Sequence, residues 1–267
     1  MRITLAQIKL KTGDFEFNFE NIVKNINGNS DLIIFPQANI EDLGGKDLIL
    51  DEKCRNCQSE FYQHVAEKNF PQNILIGDVL IKNGEVEISE DGFYDICGQR
   101  VFVSDTFIED IECDLYVLAK NRYFAMNTYA DFVESIEAYT NFVYVNALGL
   151  ADQNVYAGAS FAKNADNELV MQMPLCQEDI DTVDFSRRIE FVDEPMEKQV
   201  LAVTTFALKE YCENTGFKKV VLGLSGGIDS ALTAALAVKA LGAENVFGIL
   251  MPSMFSSEGS VKASLKL

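Results

Sequence analysis

The stretch with the most specific chemical pattern is Ser225-Gly226-Gly227-Ile228-Asp229-Ser230, set between an apolar run at 219–224 and an Ala/Leu-rich run from Ser230 to Leu241. Adjacent glycines let a chain turn tightly and aim successive N–H groups inward, and the N-terminus of a following helix adds partial positive charge. With the hydroxyls of Ser225 and Ser230 as further donors, such a turn is an anion site suited to phosphates. Asp229 would repel a bare phosphate, but it fits a divalent cation such as Mg²⁺ held between carboxylate and phosphates. The lysine-bearing Walker pattern is absent, so this is a different phosphate loop. The plainer alternative is an ordinary strand-to-helix turn capped by Asp or Ser. Cys54-Arg55-Asn56-Cys57 has metal-ligand spacing, but a structural zinc needs two more ligands and no second pair exists. The single His64 on the same expected helix reads as a surface or satisfied side chain.

The elements that must position the glycine loop are legible around it. Residues 195–214 read as an amphipathic helix with Val200, Val203, Phe206, Ala207 and Tyr211 on its buried side, closed by Thr215-Gly216. Strands at 219–224 and 245–251 flank the loop and its helix, which makes one βαβ unit with an expected right-handed crossover. One such unit cannot cover both faces of its strands. Upstream, strand patterns at 2–8, 31–36, 73–81, 86–88, 100–103, 114–118 and 142–145 alternate with helical patterns at 19–26, 54–70, 105–112 and 126–141. Residues 157–170 read as two strands around Ala165-Asp166-Asn167, and Asn83-Gly84 is a hairpin turn. The class is α/β with a mixed sheet.

The chain has 267 residues, 48% of them hydrophobic, which is ample for a core, and its formal charge is −19. After Pro195 seven lysines face six acids, so the first 195 residues carry −20. That balance argues against nucleic-acid or anionic-membrane partners. With no apolar run long enough to span a bilayer and no charged-then-apolar leader, the sequence reads as cytoplasmic. Six unevenly spaced cysteines suit a reducing compartment.

The full string Val221 to Leu232, with the run Leu250-Met251-Pro252-Ser253, Phe255-Ser256-Ser257 and Ser260, resembles the pyrophosphatase loop region of the NAD synthetases. Leu5-Ala6-Gln7, Asp31 to Pro36, Val143 to Asn146 and Gly158 to Phe161 resemble the nitrilase-like amidase domain of the glutamine-dependent members. The resemblance implies a nitrilase-like four-layer αββα sandwich over 1–185, a linker and helix start at 186–200, and over 201–267 the first βαβ unit of a truncated Rossmann-like ATP-pyrophosphatase domain. It implies ATP contacts from Leu222, Ser225, Gly226, Gly227, Asp229, Ser230 and Met251, with Asp229 as the Mg²⁺ ligand. Deamido-NAD and ammonia are the implied small-molecule substrates, and the protein is expected to be a homo-oligomer.

The amidase of such proteins works with a Glu base, a Lys and a Cys nucleophile. The positions that match are Gln37, after Phe35-Pro36, and Ser104, at the end of the 100–103 strand, while the loop that carries the Lys is deleted between Ile88 and Arg100. The expectation is a degenerate amidase that does not hydrolyse glutamine. Cys97, seven residues before Ser104, is the one rescue candidate, and no Glu or Lys stands beside it in the sequence. The alternative function is a catalytically silent nitrilase-like scaffold.

Overall fold

The structure, a computed structural model, describes residues 1–26, 28–45, 47–252 and 258–266. It divides into two compact units, Met1–Met196 and Glu197–Leu267.

In chain order the first unit contains β1 (Ile3–Gln7), α1 (Phe15–Asn25), β2 (Leu32–Phe35), α2 (Glu52–Glu67), β3 (Asn73–Ile76), β4 (Val79–Lys82), β5 (Glu85–Ile88), β6 (Phe93–Ile96), β7 (Gln99–Ser104) and β8 (Leu115–Leu118). It continues with α3 (Tyr129–Ser135), β9 (Asn141–Tyr144), β10 (Leu148–Ala151), β11 (Asn154–Ala157), β12 (Phe161–Lys163), β13 (Leu169–Gln172) and β14 (Asp179–Thr182). Two six-stranded sheets result, in the orders β14-β1-β2-β3-β4-β5 and β13-β12-β9-β8-β7-β6. Each has three parallel strands at its heart, β1-β2-β3 and β7-β8-β9, with antiparallel strands outside.

Period-2 alternation decides the layers. Ile3, Leu5, Leu32 and Ile34 of the first sheet share one buried cluster with Val101, Val103, Leu115, Val117 and Val143 of the second. The opposite faces pack on helices: Ala6, Ile33, Phe35 and Ile74 meet Ile22 of α1 and Phe61 and Val65 of α2. Phe102, Tyr116, Phe142 and Phe161 meet Phe132 and Val133 of α3. The order is therefore helix, sheet, sheet, helix, the four-layer α-β-β-α arrangement. Strands buried on both sides, such as β2 and β8, are continuous apolar runs for that reason.

Gln7 ties the two sheets' ends together. It is fully buried, and its Nε2 donates to the carbonyls of Pro174 at 2.7 Å and Gln177 at 2.8 Å. Its Oε1 accepts from the amide and the hydroxyl of Ser160, both at 2.8 Å. A Cβ at Gly158 would lie 2.5 Å from the Gln7 amide group, so only glycine fits beside it.

Several expectations need correction. Residues 73–81 are not one strand: Gly77, at φ +60°, folds them into the β3–β4 hairpin. The acidic segment 105–112 is not helical: Phe107 and Ile111 pack on the α3-side cluster from an irregular chain, whose Ile108 amide and Thr106 carbonyl bond the Tyr116 hydroxyl instead of a helical turn. The helix expected over 126–141 is only α3. The hairpins β6–β7 and β10–β11 and the edge strand β14 lacked a sequence reading; the first two turn at Cys97-Gly98 and Asp152, all with positive φ.

The second unit contains α4 (Met196–Thr215, whose first residue falls in the first unit), β15 (Val220–Gly223), α5 (Ile228–Leu241), β16 (Val246–Ile249) and α6 (Glu258–Lys266). β15 and β16 pair in parallel from Val220↔Val246 to Gly223↔Ile249. On α4, Val203 is buried and Val200, Phe206 and Ala207 are half-buried, but Tyr211 is exposed, contrary to expectation. Val221, Phe247 and Ile249 are also exposed, as a two-stranded sheet with one crossover helix requires.

Candidate functional site

The glycine loop joins β15 to α5 as its pattern demands. Gly226 has φ +81°, and a Cβ there would sit 2.3 Å from the Ser260 carbonyl oxygen on α6. Two constraints, left-handed backbone and contact with another backbone, select glycine at that position. Gly227, the residue before the helix, has φ −89° and gives α5 no side-chain cap. The first amides of α5 therefore remain available as donors. Ser225 and Ser230 close the loop: their hydroxyls lie 3.1 Å apart, Gly227 N donates to Ser225 Oγ at 3.3 Å, and Ser230 Oγ donates to the Gly227 carbonyl at 3.0 Å. Ser264 on α6 donates to the Leu224 carbonyl at 3.3 Å, which fixes the helix that backs the loop.

A hollow of about 240 Å³ opens there, lined by Leu224, Gly226, Gly227, Ile228, Ser230 and the α6 residues Ala263 and Ser264. Asp229 is exposed in the first turn of α5. Among the described residues no group of three metal-ligating side chains exists. A lone carboxylate suits Mg²⁺, which takes most of its oxygens from phosphates and water, better than an ion held by protein alone. Leu222 lies on β15, and the methyl of Met251 lies against Gly223; neither lines the hollow. Ser253, Phe255, Ser256 and Ser257 fall outside the described residues.

In the first unit, Gln37 and Ser104 lie just past or at the C-terminal ends of parallel strands β2 and β7. Gln37 is buried; its Nε2 donates to Asp78 Oδ1 at 2.6 Å and its Oε1 accepts from the amides of Ala38 at 3.1 Å and Asn39 at 3.4 Å. An amide so held accepts no proton from a nucleophile. Ser104 Oγ is committed locally, donating to the Thr106 carbonyl at 2.8 Å and accepting from its amide at 3.2 Å. Cys97 sits exposed in the β6–β7 turn at φ +53°, with its Sγ accepting from Asn73 Nδ2 at 3.5 Å. Cys57 and His64 are exposed on α2, with Cys54 half-buried.

Four residues around this end have no counterpart in the sequence reading. Asp78 sits in the Gly77-Asp78 turn that was read as mid-strand. Asn121 donates to the Gln37 carbonyl at 2.6 Å and thereby links the two sheets. Lys120 stands just past β8, the strand beside Ser104, and pairs with Asp42. The hydrogen bond to Asp42 raises its pKa, so the amine stays charged. The apolar run 115–118 announced the strand, but only chain folding places Asp42 beside Lys120.

Replacing Gln37 by glutamate tests this environment. The new carboxylate would face Asp78, and two carboxyls in hydrogen-bond contact favour sharing one proton, which raises the pKa of the pair above its unfolded value. Stability gained from the shared proton is present at low pH and lost as pH rises through the raised value. Gln37→Glu is expected to match the parent near pH 4 and to fall about 2 kcal/mol behind it at pH 8 in urea unfolding. A pH-independent difference would refute the contact.

Fold and site together define a four-layer α-β-β-α unit with the nitrilase-like fold, followed in the chain by a strand–glycine loop–helix–strand unit of the α/β class. Residues 200–267 match the family model described as NAD synthase. A glutamine-dependent NAD(+) synthetase of Thermotoga maritima is 27% identical over 98% of this chain and 62% of its own length. The structure of a glutamine-dependent NAD⁺ synthetase from Acinetobacter baumannii, in complex with ADP, superposes with a TM-score of 0.83 at 22% identity, covering 99% of this chain and 62% of that one. A CN-hydrolase superfamily protein of Xanthomonas campestris matches 70% of this chain and 91% of its own at a TM-score of 0.53 and 16% identity, a likeness of fold. The chain is similar to glutamine-dependent NAD synthetases, and it spans about 62% of the length of two relatives that it matches nearly end to end.

Proposed function

We propose that the protein is an NAD synthetase, which amidates deamido-NAD at the expense of ATP, and that its amidase layer no longer hydrolyses glutamine. The observation that carries the first half is the glycine loop: Gly226 is pressed against Ser260, and the uncapped N-terminus of α5 follows it. In this reading the nicotinate carboxylate attacks the α-phosphorus of ATP and pyrophosphate leaves into the loop. Ammonia then displaces AMP from the acyl adenylate to give the amide. Main-chain amides of 226–230 and the Ser225 and Ser230 hydroxyls stabilise charge growing on the departing pyrophosphate. Asp229 would hold Mg²⁺, which supplies Lewis-acid neutralisation of that charge. Leu222, near the C-terminal end of β15, and Met251, two residues past β16, would border the adenine, where open parallel sheets bind ligands. A purely silent scaffold would not need the loop, and the relatives favour the enzyme.

The second half rests on Gln37 and Ser104. Ammonia would then be free or delivered by a partner. The domains we assign are 1–185 and 201–267, with a linker and the start of α4 at 186–200. A cytoplasmic homo-oligomer is consistent with the free cysteines and with no described helix being long and apolar enough to cross a membrane.

Titrating the whole chain with ATP and Mg²⁺ in a calorimeter should give saturable binding, and silence at millimolar ATP would remove the loop assignment. Incubation with glutamine should release no glutamate. Release that Ser104→Ala abolishes would overturn the degenerate-amidase reading.

A further inference from the structure

Beside the altered amidase positions lies a group of donors without an acceptor. Arg122 follows β8, its guanidinium carbon 3.7 Å from the ring centre of Phe132. Among the described residues no carboxylate pairs with it. Next to it are Tyr144, the last residue of β9 and only 1% exposed, and Tyr129, which opens α3. Both hydroxyl oxygens are buried and make no hydrogen bond of ordinary geometry; the Gln172 amide beside Tyr129 and the Arg122 backbone N–H beside Tyr144 are donors, so neither O–H proton has an acceptor. Burial raises both phenol pKa values, so each offers a neutral O–H. The other polar groups nearby are engaged. Asn146 Oδ1 accepts from the Arg122 amide at 3.0 Å, its Nδ2 donates to the carbonyls of Arg122 and Gly158, and Thr128 Oγ1 donates to the Ala125 carbonyl at 3.0 Å.

Arg122, Tyr129 and Tyr144 line a recess of about 40 Å³, room for a few water-sized atoms. Arg122, Thr128 and Phe132 also wall a wider cleft of about 560 Å³ that reaches Thr106 and Lys120. Buried donors seek an acceptor, and charge-assisted bonds are the strongest available. We propose that this recess binds the carboxylate head of a small organic acid whose body occupies the wider cleft. The two oxygens of a carboxylate offer enough lone pairs for both phenols and the guanidinium, in a planar group the recess can hold. A tetrahedral phosphate is bulkier than a planar carboxylate and carries more charge than the single guanidinium of the recess neutralises. This inference is independent of the ATP loop and of the synthetase reading.

Acetate and formate are the probes, added to the whole chain at constant ionic strength against chloride and phosphate, with thermal unfolding and calorimetry as readouts. Acetate and formate should stabilise the protein saturably, and chloride and phosphate should not. Arg122→Gln should weaken acetate binding about tenfold or more, the loss of one charge-assisted bond. Tyr144→Phe and Tyr129→Phe should weaken it similarly while leaving the unliganded protein as stable as the parent or more so, since each removes a hydroxyl whose proton has no acceptor. Equal effects of acetate and chloride, tighter binding of phosphate, or unliganded destabilisation by both Phe variants would overturn the proposal. The Phe variants keep the test decisive if Arg122→Gln does not fold.

Discussion

Replacing Gly226 by alanine is expected to lower the affinity for ATP and Mg²⁺ about 100-fold or more, with far-ultraviolet circular dichroism unchanged. Two costs combine at this residue. An L side chain at φ +81° enters the left-handed region, about 1–2 kcal/mol above its preferred backbone. The added Cβ would also meet the Ser260 carbonyl oxygen at 2.3 Å, a backbone atom that no rotamer change can move. Either α6 retreats or the loop shifts, and a shifted loop misaims its amides, whose bonds weaken steeply with angle. Losing two charge-assisted bonds at about 1.5–3 kcal/mol each gives the stated factor. Gly227→Ala is the control. At φ −89° its Cβ would meet only Ser225 Oγ at 3.4 Å, an ordinary contact, so the loss should be far smaller. Equal affinities for the parent and Gly226→Ala would show that the loop does not receive phosphates.

The largest stability effect is expected from Gln7→Leu, a change of similar volume. Leucine would leave the buried amide and hydroxyl of Ser160 without their acceptor and the part-buried carbonyls of Pro174 and Gln177 without their donor. At about 1–3 kcal/mol for each orphaned group, the variant should lose about 4 kcal/mol. With an m-value of about 2 kcal/mol/M in urea, the unfolding midpoint should fall by about 2 M, or the protein should not accumulate in folded form. A midpoint within a few tenths of a molar of the parent would mean that water satisfies these groups in place of Gln7.

Much of this protein was legible from its sequence because the signals are local. The loop 225–230, the strands beside it and the apolar runs at 32–35, 115–118 and 141–144 are each set by the types and spacing of adjacent residues. The strand-end placement of Gln37 and Ser104 was legible because Phe35-Pro36 and the 100–103 run mark where β2 and β7 stop. The acidic 105–112 segment and the split at Gly77 were misread for the same reason: charge alone does not make a helix, and one glycine among apolar residues gives little notice of a hairpin.

Only the tertiary structure decided what those residues touch. It placed Asp78 against Gln37, Asn121 under the Gln37 backbone and Asp42 on Lys120, all between segments far apart in the chain. It gathered Arg122, Tyr129 and Tyr144 around one recess although none belongs to a recognisable motif. It also supplied the reason for Gly226, since Ser260, thirty-four residues away, presses on a position that sequence alone marks merely as the middle of a turn. A motif fixes local backbone conformation through nearest-neighbour sterics and capping; hydrogen-bond partners and cavities are properties of the packed chain.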